Sequence, residues 1–315
     1  MSTDLTTAPL FTDFAAGPAD GAAWWMGTLD NVRIRVGAWG RDATQGTVLL
    51  FPGRTEYIEK YGPAAQDLRD RGFATLSVDW RGQGLADRFL PDPLVGHVEH
   101  FSEYQMDVSA MLRAAKALDL PKPWFLLGHS MGGCIGLRAL MEDLPVSAAA
   151  FTGPMWGIRM AAHMRPAAWA LGWLMPKLRR GGALPPGTKS RPYVQTDVFD
   201  DNMLTRDPAM YEMMQKQLNA QPDLSLGGPS YTWLRAALYE CRDMSRLPSP
   251  QFPTRTFLGT NERIVDVARI HDRMNRWESG VLEMVEGGEH EVLMDTPDTR
   301  RAVFDSIAAH FDSHR

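Results

Sequence analysis

Cysteine is almost absent from this chain, whose 315 residues include only Cys134 and Cys241. The two lie far apart in the sequence, and neither belongs to a Cys-x-x-Cys pair or to a Cys/His cluster with zinc-ligand spacing. We therefore expect neither a disulfide framework nor a structural zinc site. So few cysteines fit a reducing compartment, and we expect a cytoplasmic protein.

The chain also lacks an excess of positive charge and a long uninterrupted apolar run. Its formal net charge is -5, whereas nucleic-acid-binding domains are typically basic, so we expect no nucleic-acid partner. The most apolar stretch, residues 155–175, is interrupted by Arg159, His163, Arg165 and Pro166, which would be costly in a bilayer. The first 16 residues contain no basic region followed by an apolar segment, so they do not resemble a secretory signal.

Motifs that bind metals or organic cofactors are missing as well. The sequence contains no His-Glu-x-x-His, no phosphate-binding glycine loop and no G-x-G-x-x-G after its first predicted strand. We therefore expect no metal and no cofactor. Nothing in the sequence indicates an obligate protein partner.

Short apolar runs alternate with amphipathic segments through most of the chain. Their periodicity predicts strands at residues 31–39, 47–51, 73–78, 124–127, 148–151, 254–258 and 281–285. Fully apolar strands separated by amphipathic helices indicate a doubly wound, mostly parallel sheet that is covered on both faces. The predicted fold class is therefore α/β.

The alternation stops between residues 153 and 248. This inserted segment has no convincing strand, contains half of the chain's methionines and includes several prolines and glycine pairs. We interpret it as a helical lid inserted into the α/β core. The predicted organisation is a mobile N-terminus at residues 1–20, a core formed by residues 21–152 and 249–315, and the lid at residues 153–248.

A pentapeptide, Gly128-His129-Ser130-Met131-Gly132, lies between a predicted strand and a predicted helix. G-x-S-x-G at such a junction is typical of a nucleophile elbow, in which a sharp turn exposes the serine hydroxyl. The alternative is a tight turn that merely requires small residues, but the flanking strand and helix favour the elbow. Ser130 is therefore the predicted nucleophile.

A serine hydroxyl needs a base within reach and an acid that orients the base. His290 follows the last predicted strand and is the only histidine so placed, so it is the predicted base. The loop after residues 254–258 contains Glu262 and Asp266 as candidate acids. Asp266 can also be interpreted as the N-cap of the next helix, so we favour Glu262 and leave Asp266 as the alternative.

An ester hydrolase also needs backbone N–H groups that stabilise the oxyanion. One donor is normally the residue after the serine, here Met131, and the other follows the third core strand. Pro52 has no N–H, so Gly53 or Arg54 supplies the next one in that loop. We predict an oxyanion hole formed by Arg54 and Met131.

Several segments resemble the monoacylglycerol lipase and lysophospholipase branch of the α/β-hydrolases. They are the pentapeptide itself, FPGR at 51–54, DWRGQG at 79–84 and the loop at 259–266. PDPLVGHV at 91–98 and GGPSYTW at 227–233 are most similar to bacterial lysophospholipases. The resemblance extends from about residue 30 to the end. It implies the α/β-hydrolase fold, a lid after the sixth strand, a triad at the positions named above, and hydrolysis of a monoacyl lipid ester.

The apolar residues of the inserted segment suit an acyl pocket, and we predict Met155, Trp156 and Trp173 as substrate-binding residues. Methionine and tryptophan are also common core residues, so the same side chains could simply hold the lid together. Lys177, Arg179 and Arg180 could contact anionic lipid headgroups or form a solvated face. Any membrane contact is expected to be peripheral.

Two other functions stay open at this point. The same triad could cleave a short-chain ester, a lactone, a peptide or a carbon–carbon bond, because one fold hosts many chemistries. A non-catalytic binding protein is the second alternative, but it gives no reason for a serine, an acid and a histidine in these places.

Overall fold

The computed structural model describes residues 5–315, which form a nine-stranded sheet with helices on both faces. The strands are β1 (Thr6–Ala8), β2 (Ala22–Gly27), β3 (Arg33–Trp39), β4 (Thr47–Phe51), β5 (Ala74–Asp79), β6 (Trp124–His129), β7 (Ala149–Thr152), β8 (Thr254–Gly259) and β9 (Gly280–Val285). Their spatial order is β1-β2-β3-β5-β4-β6-β7-β8-β9. The pairings from β5 to β9 are parallel, and those from β1 to β5 are antiparallel. The predicted α/β class and mostly parallel sheet are confirmed.

Helices cover both faces of the sheet. The helices of the described chain are α1 (Thr12–Ala15), α2 (Gly62–Arg69), α3 (Glu103–Ala117), α4 (Met131–Met141), α5 (Arg165–Lys177), α6 (Tyr193–Thr196), α7 (Pro208–Ala220), α8 (Tyr231–Arg246), α9 (Val267–Asn275) and α10 (Pro297–Asp312). Strand β4 shows the two layers, because Val48 and Leu50 join the core cluster of α2 and α10, whereas Leu49 and Phe51 join that of α3 and α4. A strand buried on both faces explains the continuous apolar run in its sequence.

The inserted segment, residues 153–248, contains α5 to α8 and no strand. It follows β7, which becomes the sixth strand when the short β1 is left out of the count. Helix α8 is integral to the core, since its Trp233 and Cys241 belong to the same buried cluster as α3 and α4. The indole N–H of Trp233 donates to the hydroxyl of Tyr104 at 3.0 Å. Among residues 5–315, no helix is long and apolar enough to cross a membrane.

The N-terminal segment differs from the expectation of a mobile start. Strand β1 pairs with β2, and Phe11 and Phe14 stack and pack against a cluster that includes α7. The backbone carbonyls of Pro9 and Phe14 accept hydrogen bonds from Arg35 and Gln217 at 2.9 Å. Residues 5–16 thus pack on the rest of the chain, and local sequence does not reveal the docking surface of their two aromatic rings. Residues 1–4 lie outside the described part of the chain.

A substitution at Gly62 tests whether the N-terminal segment packs on α2. Gly62 begins α2 with ordinary helical dihedrals, but a Cβ at this position would overlap the carbonyl oxygen of Ala15. We expect Gly62→Ala to lower the free energy of unfolding by about 1–3 kcal/mol, the usual cost of overpacking. Urea denaturation measures the change.

The matched control is Gly172→Ala in α5, where a Cβ would have no contact nearer than 3.4 Å. Because alanine is the better helix former, this variant should be stabilised by roughly 0.5–1 kcal/mol. A similar stabilisation of Gly62→Ala would mean that the N-terminal segment is not docked on α2.

Candidate active site

Ser130 sits at the junction of β6 and α4 in a strained backbone conformation, with φ 50° and ψ -117°. Positive φ is costly for a non-glycine residue and persists only where the surroundings enforce it. Here the Ser130 N–H donates to the carbonyl of Thr152 at 3.0 Å. A Cβ at Gly132 would overlap the carbonyl oxygen of Phe51, so only glycine lets the elbow approach β4.

His290 and Glu262 form a buried pair in the loops that follow β9 and β8. Nδ1 of His290 lies 2.6 Å from Oε2 of Glu262. The other carboxylate oxygen, Oε1, accepts the backbone N–H groups of Ile264 at 2.6 Å and Val265 at 3.1 Å. These contacts fix the carboxylate and occupy Nδ1 of the imidazole, which leaves Nε2 as the ring nitrogen available to another group.

The electrostatics of the pair favour an ionised acid. Burial alone would raise the pKa of Glu262, but the charge and hydrogen bond of His290, together with the two backbone amides, hold that pKa below its ordinary value. Gly153 closes the space beside the pair. Its φ is +46°, and a Cβ there would lie 3.0 Å from Nδ1 of His290.

Asp266, the alternative acid, contacts neither member of this pair. It occupies the N-cap position of α9, as its interpretation as a cap requires, but its side chain makes no capping hydrogen bond. Its Oδ2 instead accepts from Nη2 of Arg165 at 3.0 Å. The inserted segment thus supplies a cation that draws this carboxylate away from the helix N-terminus.

A cavity of about 580 Å³ lies over the elbow, and both Ser130 and His290 line it. Within residues 5–315 the Ser130 hydroxyl makes no hydrogen bond to His290, and such contacts often tighten only when substrate binds. Most of the apolar wall comes from the inserted segment and includes Met155, Ile158, Tyr193, Val194, Met203, Leu204, Met214, Leu218 and Leu226.

Two of the three predicted substrate-binding residues lie elsewhere. Met155 lines the cavity, but Trp156 packs against Phe151 and Trp277, and its indole N–H donates to the carbonyl of Gly133. Trp173 is 51% exposed on α5, with the ammonium of Lys177 over its ring. The prediction is wrong for both tryptophans, because the first belongs to the core and the second faces outward.

The apolar lining that sequence reasoning missed comes from the later part of the inserted segment. Met214 and Leu218 stand four residues apart on α7 and line the cavity together. This spacing places both on one helix face and was the available signal. The spacing does not reveal that this face of α7 points toward Ser130.

The backbone N–H groups of the two predicted oxyanion donors, Arg54 and Met131, are available to a substrate. Gly53 is excluded because its N–H donates to the carboxylate of Glu56. Arg54 follows it, and Met131 is the first residue of α4. In the part of the chain that the structure describes, neither backbone N–H donates to a protein acceptor. The N-terminus of α4 adds a favourable dipole for negative charge.

A buried charge cluster borders the cavity. Nζ of Lys60 lies 2.6 Å from carboxylate oxygens of both Glu56 and Glu291, and Nε2 of His129 lies 3.3 Å from Glu291. The imidazole rings of His129 and His290 are 4.8 Å apart. The sequence assigns His129 only to the pentapeptide, and nothing in its local surroundings reveals this cluster.

The charged groups of the cluster stabilise one another. Burial opposes every charge in it, but Lys60 and His129 hold the pKa of Glu291 well below its ordinary value. Burial likewise lowers the pKa of His129, and the carboxylates of Glu291 and Glu56 outweigh this and raise it. Glu56, His129 and Glu291 offer the ligand types of a metal site, but Lys60 already bridges the two carboxylates there.

The chain is similar in sequence to one protein family and to bacterial proteins named lysophospholipase L2. The family model described as "Serine aminopeptidase, S33" matches residues 42–297. Lysophospholipase L2 of Escherichia coli strain K12 is 31% identical over 304 residues, covering 91% of this chain and 86% of the relative. Probable lysophospholipase L2 of Haemophilus influenzae is 27% identical over 267 residues, covering 84% and 83%.

Two solved structures share the fold. A soluble variant of monoglyceride lipase from Saccharomyces cerevisiae, in complex with a substrate analog, superimposes with a TM-score of 0.71 at 18% identity, covering 100% of this chain and 98% of that one. A thermostable carboxyl esterase from Bacillus coagulans, in complex with glycerol, gives 0.73 at 12% identity, covering 93% and 98%.

Proposed function

We propose that this chain, which belongs to the serine aminopeptidase family of α/β-hydrolases, cleaves the carboxylic ester of a monoacyl lipid through an acyl-enzyme on Ser130. One observation carries the proposal: the strained serine and the His290–Glu262 pair meet at a cavity with a largely apolar wall. The relatives named lysophospholipase and monoglyceride lipase support a lipid ester as the substrate.

The chemistry follows from the positions of the groups. Nε2 of His290 accepts the proton of the Ser130 hydroxyl while Oγ attacks the ester carbonyl. The N–H groups of Arg54 and Met131 donate to the tetrahedral oxyanion. The protonated imidazole then gives its proton to the leaving glycerol oxygen. Glu262 holds the ring in the required orientation and stabilises its positive charge.

Deacylation repeats these steps with water in place of the serine. His290 removes a proton from a water molecule, which attacks the acyl carbonyl and releases the fatty acid and the free Ser130 hydroxyl. The inserted segment acts as a lid in this scheme. Its Met214 and Leu218 provide apolar surface for the acyl chain, whose burial contributes binding energy in proportion to its length.

We also infer a cytoplasmic enzyme that contacts membranes peripherally through α5. Although this helix is apolar, only Gly172 on it is buried. Trp173 and Leu174 are exposed beside the cation of Lys177. Exposed apolar side chains next to cations suit the boundary between acyl chains and anionic headgroups.

Ser130→Ala tests the nucleophile. We expect a fluorophosphonate probe to label the wild-type protein and to leave the variant unlabelled, because only an activated serine attacks the phosphorus. Thermal denaturation of both proteins controls for folding. Labelling that survives the substitution would remove Ser130 as the nucleophile.

The substrate is tested by a scan of p-nitrophenyl esters, followed by a monoacylglycerol and a lysophospholipid. Hydrolysis of none of them by the folded protein, or hydrolysis of aminoacyl p-nitroanilides in their place, would overturn the lipid-ester proposal.

The two candidate acids are separated by Glu262→Gln and Asp266→Asn. The first variant loses the carboxylate that contacts His290 and should lower kcat by about 10³–10⁴, the scale seen when a triad acid becomes an amide. The second loses an ion pair with the half-exposed Arg165 and should keep kcat within roughly threefold. Initial rates with one p-nitrophenyl ester decide between them. The larger loss in Asp266→Asn would reverse the assignment.

A further inference from the structure

Arg54 is a partly buried cation at the cavity over Ser130. Its Nη2 donates to the backbone carbonyl of Gly227 at 2.6 Å, and its guanidinium carbon lies 5.1 Å from the ring centroid of Trp233. Its Nε is inaccessible to solvent and has no acceptor. No carboxylate of residues 5–315 lies within ion-pair distance of it. Burial lowers the pKa of Arg54 to about 10, which keeps the side chain charged at neutral pH.

Buried arginines of this chain are held in two ways. Arg35 is paired with Glu59 and Asp79, and Arg81 is paired with Asp30 and Asp107, whereas Arg273 donates to the backbone carbonyls of Met244 and Leu247. Arg54 is of the second kind, but unlike Arg273 it lines the cavity over Ser130. A desolvated charge without a counter-ion costs free energy, and an anion bound in the cavity can offset that cost. The natural partner of a guanidinium is a carboxylate or a phosphate, each of which it can bind through two N–H groups.

The position of Arg54 relates it to the reacting ester. Arg54 lines the same cavity as Ser130, and its backbone N–H is one of the two proposed oxyanion donors. When this N–H binds the ester oxygen, the guanidinium of the same residue is one arginine side chain away from the ester carbonyl. In a lysophospholipid, the glycerol unit separates the ester carbonyl from the phosphate by a comparable chain of covalent bonds. In a monoacylglycerol, a hydroxyl takes the place of that phosphate.

Arg54 is surrounded by residues 91–98 and 227–233, two segments that take no part in the proposed reaction. A Cβ at Gly96 would lie 2.8 Å from Nη2 of Arg54, so the glycine makes room for the guanidinium. The N–H of Gly96 donates to the carbonyl of Gly228 at 3.0 Å, and the N–H of Ser230 donates to that of Gly96 at 2.8 Å. Residues 91–98 and 227–233 are thus tied together around Arg54.

The remaining charges of the cavity favour an anion. Lys189 and Arg191 line it, and within residues 5–315 neither has a carboxylate at ion-pair distance. The acidic side chains of the lining are Asp197 and the two carboxylates that Lys60 bridges, Glu56 and Glu291. Four cations, including Lys60, thus face three carboxylates, and this positive excess suits a phosphate better than a cationic group.

We propose that the guanidinium of Arg54 binds the headgroup phosphate of the substrate, so that the enzyme prefers lysophospholipids to monoacylglycerols of the same acyl chain. This inference rests on the proposed ester hydrolysis and specifies its substrate. Lys189 and Arg191 add positive charge at the cavity and attract the same group.

The test compares two substrates in the full-length protein. 1-Lauroyl lysophosphatidylglycerol and 1-lauroylglycerol are offered in the same neutral detergent micelles, and kcat/KM is measured for each. In Arg54→Gln, the ratio of lysophospholipid to monoacylglycerol kcat/KM should fall by about 10–100-fold, mainly through KM, because a charge-assisted contact to phosphate is lost. Arg54→Lys keeps the charge without the planar fork and should recover part of the ratio.

Arg246→Gln is the matched control, since Arg246 is exposed at the end of α8 and does not line the cavity. It should leave the ratio within about twofold. Equal losses on both substrates in Arg54→Gln would mean that Arg54 only holds the loop at Gly227, and would overturn the proposal. Failure of the wild-type protein to cleave either lipid would instead refute the proposed function.

Glycerol 3-phosphate separates a headgroup site from a site for free phosphate. It should inhibit the wild-type protein competitively and inhibit Arg54→Gln more weakly. Inhibition together with an unchanged substrate ratio would show that Arg54 binds free phosphate and not the lipid headgroup, which also contradicts the proposal.

Discussion

The left-handed backbone at Ser130 is the constraint on which the rest of the site depends. A φ of 50° turns the chain sharply out of β6 and into α4, and the carbonyl of Thr152 on the neighbouring strand holds the turn in place. Because β4, β6, β7, β8 and β9 run parallel, their carboxyl ends meet at one edge of the sheet. The loops that carry Arg54, Glu262 and His290 all start from this edge, so each needs only a short reach to the elbow.

Buried charged side chains near this edge of the sheet have two different kinds of surroundings. On one side, Lys60 and His129 contact Glu56 and Glu291 in a closed cluster beside the imidazole of His290. Glu56 also accepts the N–H of Gly53, so the cluster fixes the loop that leads to Arg54. On the other side, Arg54 has no carboxylate at ion-pair distance among residues 5–315. We propose that the substrate supplies the missing anion, which would make headgroup recognition part of the same loop that stabilises the oxyanion.

The sequence predicts the fold well because its strongest signals are local. Strands such as β4 and β6 are buried on both faces and appear as continuous apolar runs, and the structure confirms them. Ser130, His290 and Glu262 were named from their positions beside predicted strands. The structure places Ser130 and His290 at one cavity and Glu262 against His290, while their catalytic roles stay predictions.

What the sequence does not predict depends on contacts between distant segments. Trp156 and Trp173 have similar sequence surroundings, but one is a core residue and the other faces solvent, and only tertiary packing separates them. Tertiary packing also determines three other features: the docking of Phe11 and Phe14, the contact of His129 with Glu291, and the surroundings of Arg54. Each involves residues far apart in the chain.

The central claim is that different esters pass through one acyl-enzyme on Ser130, and the partition of the acyl group between water and methanol tests it most directly. The measured quantity is the ratio of methyl ester to fatty acid formed from a monoacylglycerol, a lysophospholipid and a p-nitrophenyl ester that share one acyl chain. A common acyl-enzyme predicts the same ratio from all three, because the leaving group has departed before water or methanol attacks. Ratios that differ with the leaving group would contradict the account.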